Sequence, residues 1–376
     1  MRIFKGLALR KTLVVLQFGI SLIFIVFLET VNKQISFTMS YAYGFKEKDI
    51  INIQLPDSKG HLLKHELEKV AGVERISSSS DIFGFHSSDY APMKKNLEDK
   101  NGIGTDRYFV DASFIPTMDL TIVAGTNFSS NDQPSLKNVV LNETAVKNLG
   151  YPHPGQVIGQ PVWLNDSTTV TVVGVVKDFH YHNLKHAMGN LALCYDTARY
   201  SYLNVEAHGL DKASIISSLQ TAWKKIYPAK PFTFSWYDEQ LAVNRNKKED
   251  VAMISFLAVM AVTIACLGLL AMVTYTAEIR QKEVSIRKVL GAQVMTIIML
   301  LSKNFIWLLI LASAISLPIG YIVSTLFLQG FAYRITVGLQ VLSTSVFFIL
   351  AIGLFTIISQ TIRVAIKNPV KNLRTD

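Results

Sequence analysis

Four polar side chains that could bind a metal ion lie close together near the middle of the chain. Asp178, His180, His182 and His186 follow an alternating, strand-like run at 172–177. A zinc site needs three or four such ligands converging on one point. The alternation places His180 and His182 on one face at the end of the strand, with His186 beyond it. We predict no metal site here, and an extracytoplasmic metal enzyme stays open as an alternative that elemental analysis for zinc can test.

Motifs of nucleotide-binding and hydrolytic enzymes are missing from the sequence. It contains no GxxxxGK(S/T) phosphate loop, no GxSxG and no HExxH. A chain without a phosphate loop does not bind ATP in the usual manner, so we predict no catalytic residue and no cofactor of its own. Cys194 falls in a polar segment and Cys266 in an apolar run. They are not expected to pair with each other, which excludes a disulfide-stapled exterior unless Cys194 pairs between chains.

A charged segment at 277–292, with the sequence AEIRQKEVSIRKVLGA, is the stronger candidate for function. Its acidic residues precede basic residues by four positions, the order that stabilises a helix. Apolar residues also recur at helical spacing, at positions 279, 286, 289, 290 and 294. Such a short amphipathic helix of mixed charge suits docking to a cytoplasmic partner. The predicted contact residues are Glu278, Arg280, Lys282, Glu283, Arg287 and Lys288, with Gly291 ending the helix.

Four apolar runs are each long enough to cross a bilayer as a helix. They are predicted at 12–30, 251–275, 305–328 and 339–360. No small-x-small cleavage site follows the first run before the polar stretch 29–34, so we expect a retained anchor rather than a cleaved signal peptide. No Asp, Glu, His or Arg lies near the middle of a run, which argues against an ion-coupled transporter or a channel.

The distribution of charge predicts the orientation in the membrane. The formal net charge of the chain is +9. Segments 1–11, 276–304 and 361–376 together hold thirteen basic and three acidic residues, whereas 31–250 holds 23 basic and 24 acidic residues. By the positive-inside rule we expect the three basic segments to be cytoplasmic, and 31–250 and the turn 329–338 to lie on the opposite side of the membrane. The basic excess is therefore a membrane signature and gives no support to nucleic-acid binding.

Small residues recur at spacings of three or four along the second and third runs. Such stripes let membrane helices approach closely. The alternative is that alanine and serine are merely common in membrane spans. The predicted helix-packing residues are Ala261, Ala265, Gly268, Ala312, Ser316, Gly320 and Ser324.

The sequence of segment 31–250 predicts the strands and helices of an α/β domain. Strands are predicted at 49–55, 137–141, 168–176, 202–206 and 232–236, and helices at 59–71, 143–149 and 214–227. The elements at 49–71 resemble those at 202–236 in type and order, and the other elements lie between them in the sequence. We therefore predict two subdomains, one inserted in the other. Residues 29–43 and 238–250 lack helix breakers and are predicted to form stalk helices that link the domain rigidly to the first two spans. The alternative is that they are loops with helical composition.

Several stretches, in this order, resemble the FtsX/MacB-type permeases of ABC transporters over the whole chain. They are VLNETAVKNLGY at 140–151, VIGQPV at 157–162, VTVVGVVKDFHYHNL at 170–184, EIRQKEVSIRKVLGA at 278–292, FAYRI at 331–335 and NPVKNLR at 368–374. The resemblance implies an integral membrane α-helical protein with four transmembrane helices and a large extracytoplasmic α/β domain of porter and sabre subdomains. It also implies dimeric assembly with a separate cytoplasmic ATPase, which would bind the ATP.

The resemblance also bears on assembly. FKGLALRKTLVVLQFGIS at 4–21 resembles the start of the second half of longer, two-half members of the family. The chain is then either a half that forms a homodimer, which we favour because closed twofold assemblies are common, or a half that pairs with another polypeptide. Membrane lipid and a periplasmic adaptor are further expected partners.

These observations lead to one hypothesis and one alternative from another class. We hypothesise a permease of the bacterial inner membrane that passes the movement of a partner ATPase through 277–292 and the stalks to its periplasmic domain. The alternative is a membrane-anchored sensor or scaffold whose outer domain binds a ligand without any ATPase. A phosphate-loop ATPase encoded beside the gene would favour the first.

Overall fold

The computed structural model describes residues 2–366 except 58, 86–88, 100, 130–136, 183, 210, 246–247, 281–282, 285, 288–289 and 291. The chain divides into two units, each compact in itself. The membrane unit consists of Met1–Phe37, Lys247–Gly330 and Arg334–Asp376. The outer unit consists of Thr38–Asn246 and Phe331–Tyr333.

The described helices and strands alternate in the outer unit, whereas the membrane unit is helical. The helices are α1 Arg2–Ser40, α2 Gly60–Leu67, α3 Phe114–Thr117, α4 Glu143–Asn148, α5 Lys212–Ile226, α6 Tyr237–Arg245, α7 Lys248–Ile279, α8 Val294–Leu328 and α9 Leu339–Ile366. The strands are β1 Ile50–Gln54, β2 Val73–Ser79, β3 Asp89–Met93, β4 Ile103–Phe109, β5 Ile122–Gly125, β6 Asn138–Asn142, β7 Pro161–Asn165, β8 Thr168–Val176, β9 Asn190–Cys194, β10 Tyr202–Ala207 and β11 Phe234–Trp236.

Four of the described helices are long and apolar enough to cross a membrane, which confirms the predicted four-helix membrane architecture. Their apolar runs are Leu9–Ser40 in α1, Val251–Ile279 in α7, Ile298–Leu328 in α8 and Leu339–Arg363 in α9. Helix α1 continues without a break to Ser40, so the predicted first stalk is part of it. The predicted second stalk is divided between α6 and the start of α7, and residues 246–247 between them lie outside the described part of the chain.

The core of the membrane unit is built around one face of α1. Residues at every fourth position of this helix, Val14, Phe18, Leu22 and Val26, are at most 3% exposed. A spacing of four keeps side chains on one side of an α-helix. This face packs with buried residues of the other three helices, among them Ala265, Leu269, Met272, Phe305, Leu309, Ala312, Ile349 and Ile357.

The first sheet of the outer unit is formed by the two ends of the domain sequence. Its strand order is β11-β1-β10-β2, and all neighbours are antiparallel. Alternate residues of the strands, such as Ile51 and Ile53 of β1, are fully buried with Leu63 of α2 and Leu219 of α5. The two helices therefore cover one face of this sheet.

The second sheet lies in the sequence between β2 and β10, which confirms the prediction of one subdomain inserted in the other. Its order is β3-β4-β9-β6-β8-β5, with β7 paired to β8. The sheet is mixed, since β4 and β9 are parallel and so are β6 and β8. Central strands β6 and β8 are rich in buried valine, as expected for strands covered on both faces.

We predict that Gly174→Ala destabilises the second sheet by about 1–3 kcal/mol. A Cβ at Gly174 would lie 2.3 Å from the backbone oxygen of Thr126, which cannot move without disturbing the pairing of β5 with β8. Hydrogen exchange of the β8 amides in the full chain in detergent measures the effect. The control is Gly155→Ala, where an added Cβ meets nothing within 4 Å and protection should be unchanged. Equal protection of β8 in both variants would contradict this account.

Candidate functional site

The segment between α7 and α8 contains a helical turn that is fixed at one point. The Val284 amide donates to the carbonyl of Arg280 over 3.0 Å, and the Leu290 amide donates to that of Ile286 over 3.0 Å. Val284 is buried against Leu301 of α8. This contact fixes one side of the turn to α8.

Four of the seven predicted contact residues are described, and they lie in two different settings. Glu283 and Arg287 form the expected ion pair at 2.7 Å, and both side chains are about half exposed. Glu278 is exposed as well. Arg280 instead is half-buried and lines a pocket between helices. Lys282, Lys288 and Gly291 lie outside the described residues.

Three of the apolar residues predicted at helical spacing are exposed and lie close to this ion pair in the sequence. Ile279, Ile286 and Leu290 are 59%, 53% and 81% exposed. An isoleucine and a leucine at i and i+4 lie on the same face of a helix, so Ile286 and Leu290 form one apolar surface. Val289 and the side chain of Val294 lie outside the described part. An apolar patch rimmed by charges is typical of a protein-binding surface.

The small residues predicted for helix packing are largely buried in the membrane unit. Ala265, Ala312, Ser316, Gly320 and Ser324 are buried, and Ala261 and Gly268 are half-buried. Two of the stripe residues on α8 meet α1 directly. A Cβ built at Gly19 of α1 would lie 2.5 Å from Oγ of Ser316, and one at Gly320 would lie 3.4 Å from Cβ of Val26.

A polar contact between α1 and α9 is a feature that the sequence analysis missed. The carboxylate of Glu29 accepts hydrogen bonds from the hydroxyls of Thr344, at 2.7 Å, and Ser345, at 3.0 Å. Five residues further along α1, Gln34 Oε1 accepts from the backbone amide of Ile335 at 3.0 Å. The adjacent hydroxyls at the start of the fourth apolar run were the signal, but nothing in the sequence pairs them with Glu29.

The residues first considered as metal ligands have separate structural partners. Asp178 accepts hydrogen bonds from Nδ2 of Asn142 at 2.8 Å and from the amide and hydroxyl of Thr144 at 3.0 and 2.7 Å, and so fixes the start of α4. His182 Nε2 lies 2.9 Å from the carboxylate of Asp106. His186 lies beside His182, with ring centroids 5.9 Å apart. Strand β8 ends at Val176, so strand alternation does not extend to His180 and His182.

His180 lies among three tyrosines of the outer unit. Its ring meets the rings of Tyr333, Tyr41 and Tyr43 edge-on, with centroids 4.3, 5.0 and 6.4 Å away. Its Nε2 atom is buried and has no hydrogen-bond partner in the described part of the chain. Burial lowers the pKa of His180, and the charge of Asp178 opposes this only in part.

A second group of possible ligands surrounds a buried carboxylate. Ligand atoms of Glu74, Glu206 and His208 all lie within 4.8 Å of one another. The Glu206 carboxylate, however, contacts the Lys46 ammonium group and lies 3.1 Å from Nε of Arg75. Burial raises the pKa of Glu206, but hydrogen bonds from Lys46 and His208 outweigh it and the pKa is lowered. This carboxylate is already compensated by cations of the chain itself.

Comparisons with known proteins agree with the motifs found in the sequence. The family model described as a MacB-like periplasmic core domain matches residues 14–222, and that of the FtsX-like permease C-terminal domain matches residues 255–369. No curated protein sequence matches the chain.

Two solved structures are similar to part of the chain. The periplasmic region of MacB from Actinobacillus actinomycetemcomitans is 14% identical, with a TM-score of 0.40 over 56% of this chain and 98% of that one. A domain of a putative permease protein from Porphyromonas gingivalis is 16% identical, with a TM-score of 0.38 over 51% of this chain and 93% of that one. TM-scores below 0.5 do not by themselves establish a shared fold.

We predict that His180 makes the stability of the outer unit depend on pH. Because its pKa in the folded protein is lower than the value of about 6.5 in an unfolded chain, the unfolded state binds more protons as the pH falls through that value. Protection of amides in 171–195 should therefore be full above about pH 6.5 and decrease below it. Hydrogen exchange of the full chain in detergent measures this dependence.

His180→Phe should remove the dependence and change stability at pH 7 by less than about 1 kcal/mol, because a buried nitrogen without a partner is replaced by carbon. The control is His61→Phe, at an exposed position of α2, which should keep the wild-type pH profile. An unchanged profile in His180→Phe would show that other groups cause the dependence.

Proposed function

The chain belongs to the family of FtsX-like permeases with a MacB-like periplasmic core domain, and we propose that it transmits the ATP-driven movement of a separate ATPase to this domain. The two family matches together cover most of the chain and make it a permease subunit of an ABC transporter. The transport step that we propose is conformational: the periplasmic domains release or reposition a cargo without chemical change.

The observation that carries the proposal is the exposed apolar patch and ion pair between α7 and α8. Membrane helix α7 ends before this segment and α8 begins after it, so a force applied to the segment acts directly on both helices. Ile286 and Leu290 supply apolar area, and Glu283, Arg287 and Glu278 supply charges of both signs around it. A groove on the ATPase with a complementary charge pattern would select this surface. The sequence lacks a phosphate loop, so we place ATP on the partner subunit.

Helix α1 is suited to carry displacement outward. It has 39 residues, or about 58 Å at 1.5 Å per residue, whereas crossing the apolar core of a bilayer takes roughly 20 residues. The remaining length continues as helix into the first residues of the outer unit. A continuous helix transmits a displacement that a flexible linker would absorb.

The proposed assembly contains two permease chains and two ATPase chains in the bacterial inner membrane, with both permease termini in the cytoplasm. The basic ends support this orientation by the positive-inside rule. A homodimer is proposed because a twofold axis would pair each permease with one subunit of a symmetric ATPase dimer.

We predict that Leu290→Asp reduces the amount of ATPase that copurifies with the permease by at least about tenfold, a loss of about 1.4 kcal/mol of binding free energy. The side chain is exposed, so the fold should not change. The experiment coexpresses the permease with the phosphate-loop ABC ATPases of the same organism and measures the retained ATPase in detergent. The matched control is Val243→Asp, which changes an equally exposed apolar residue of the outer unit.

If Leu290→Asp retains as much ATPase as Val243→Asp, the patch is not the docking surface. If the wild-type permease retains no ATPase at all, the sensor or scaffold alternative replaces the proposal.

Exchanging the charges of Glu283 and Arg287 tests coupling separately from binding. The double variant Glu283→Arg, Arg287→Glu keeps the i, i+4 pair and the net charge but reverses the pattern that the partner meets. We expect the stimulation of ATP hydrolysis by the permease to be lost and amide protection of the outer unit to be unchanged. The control exchanges the exposed pair Lys212 and Glu239, and should leave hydrolysis at the wild-type level. Normal stimulation in the Glu283 and Arg287 variant would refute this assignment.

A further inference from the structure

We propose that the membrane unit binds an anionic phospholipid in a basic pocket at the end of the bundle that carries the N-terminus. The pocket has a volume of about 200 Å³ and lies between α1, the end of α7 and α8. Its polar lining includes Lys11, Arg280 and Asn304, and its apolar lining includes Met272, Phe305 and Leu308. The inference goes beyond the proposed function, since it requires neither an ATPase nor a cargo.

The charge of the pocket selects an anion. Lys11 and Arg280 are half-buried, and in the described part of the chain neither forms an ion pair. No carboxylate is among the residues that line the pocket. Arg10, on the next position of α1, stacks over the ring of Tyr275 at 4.1 Å, which adds a third cation at this end of the bundle. Cations removed from water in this way favour binding of a negatively charged group.

The position of the pocket along the helices selects a lipid headgroup. Lys11 is the third residue of the apolar run of α1, and Arg280 directly follows the last residue of that of α7. Asn304 lies within two turns of the start of the run of α8 at Ile298. All three residues are therefore at the boundary of the apolar layer, where phosphate groups of the lipids lie.

The apolar lining distinguishes a lipid from a free anion. Met272 and Phe305 are 5% and 3% exposed, and Ile279, which also lines the pocket, is exposed on the outside of α7. An acyl chain can follow such a wall from the polar rim onto the surface of the bundle, whereas inorganic phosphate gains nothing from it. The volume is below the roughly 300–1,000 Å³ of pockets that enclose a whole ligand. It suits a headgroup phosphate and glycerol, with the acyl chains outside.

The test is a titration of the purified full chain in a neutral detergent with dioleoylphosphatidylglycerol, followed by native mass spectrometry. We expect Lys11→Gln, Arg280→Gln to bind this lipid at least about tenfold more weakly than the wild type. The matched control is Lys303→Gln, Arg363→Gln, which removes two exposed cations of α8 and α9 outside the pocket. The control pair and the charge-conserving Lys11→Arg should bind as the wild type does.

Four results would overturn the proposal. The first two concern the variants: the pocket variant Lys11→Gln, Arg280→Gln binds the lipid as tightly as the wild type, or the pocket variant and the control variant lose binding equally. The other two concern the wild type: it binds dioleoylphosphatidylcholine as tightly as the anionic lipid, or millimolar inorganic phosphate displaces the lipid fully. If the double variant Lys11→Gln, Arg280→Gln binds the lipid normally but no longer copurifies with the ATPase, the two cations contact the protein partner and not a lipid.

A measurement on the wild-type chain covers the case in which the pocket variant fails to fold. In nanodiscs of phosphatidylglycerol, amides in 272–284 should exchange more slowly than in nanodiscs of phosphatidylcholine. Equal exchange in the two lipids would overturn the proposal. The result does not depend on the coupling proposal, because no ATPase is present.

Discussion

Close contact between α1 and the other three membrane helices is the constraint on which the rest of the structure depends. In the most apolar stretch of α1, 44% of the residues are buried, compared with 28% in the corresponding stretch of each of the other three membrane helices. Hydrophobic burial cannot hold helices together in lipid, so van der Waals contact between closely approaching backbones must do so. Gly19 against Ser316 and Gly320 against Val26 provide that approach. A side chain at Gly19 would require the hydroxyl of Ser316 to move, and α1 is the helix that continues into the outer unit.

Polar groups reinforce this packing at the outer end of α1. Glu29 lies 20 residues, or about 30 Å, beyond Leu9, so it reaches the far boundary of the apolar layer. A half-buried carboxylate at that boundary needs polar partners. Thr344 and Ser345 donate to it from α9, and the ammonium group of Lys33 lies 3.8 Å away on α1. Gln34 then binds the backbone that precedes α9. The polar contacts therefore join α1 to the start of α9 and to the backbone before it at defined positions.

Local periodicity predicted the membrane helices and part of the outer unit, but strands β2, β3, β4, β5, β7 and β9 were not among the predicted elements. It predicted none of the contacts between distant elements. The long apolar runs, the strand alternation of β8 and the i, i+4 pair of Glu283 and Arg287 are properties of a few consecutive residues, and the structure contains all of them. The contacts of Glu29 with Thr344 and of Lys11 with the pocket of Arg280 join positions some 270 to 315 residues apart. No periodicity encodes such pairs. The spacing of His180 and His182 likewise does not reveal their surroundings, because the two residues are close in sequence but have different partners in space.

Three segments of the outer unit are connected to membrane helices: the one after α1, the one before α7 and the one between α8 and α9. All three contribute residues to, or pack against, one aromatic cluster. After α1, Phe45 stacks on Tyr237 of α6, the helix that precedes α7, with centroids 5.6 Å apart. Both belong to the cluster that contains Phe83 and Phe179, and Tyr333, from the segment between α8 and α9, packs against it. A densely packed core moves as a body because its side chains cannot rearrange independently. The segments that follow α1, precede α7 and join α8 to α9 therefore share one packed core of the outer unit and do not end in separate parts of it.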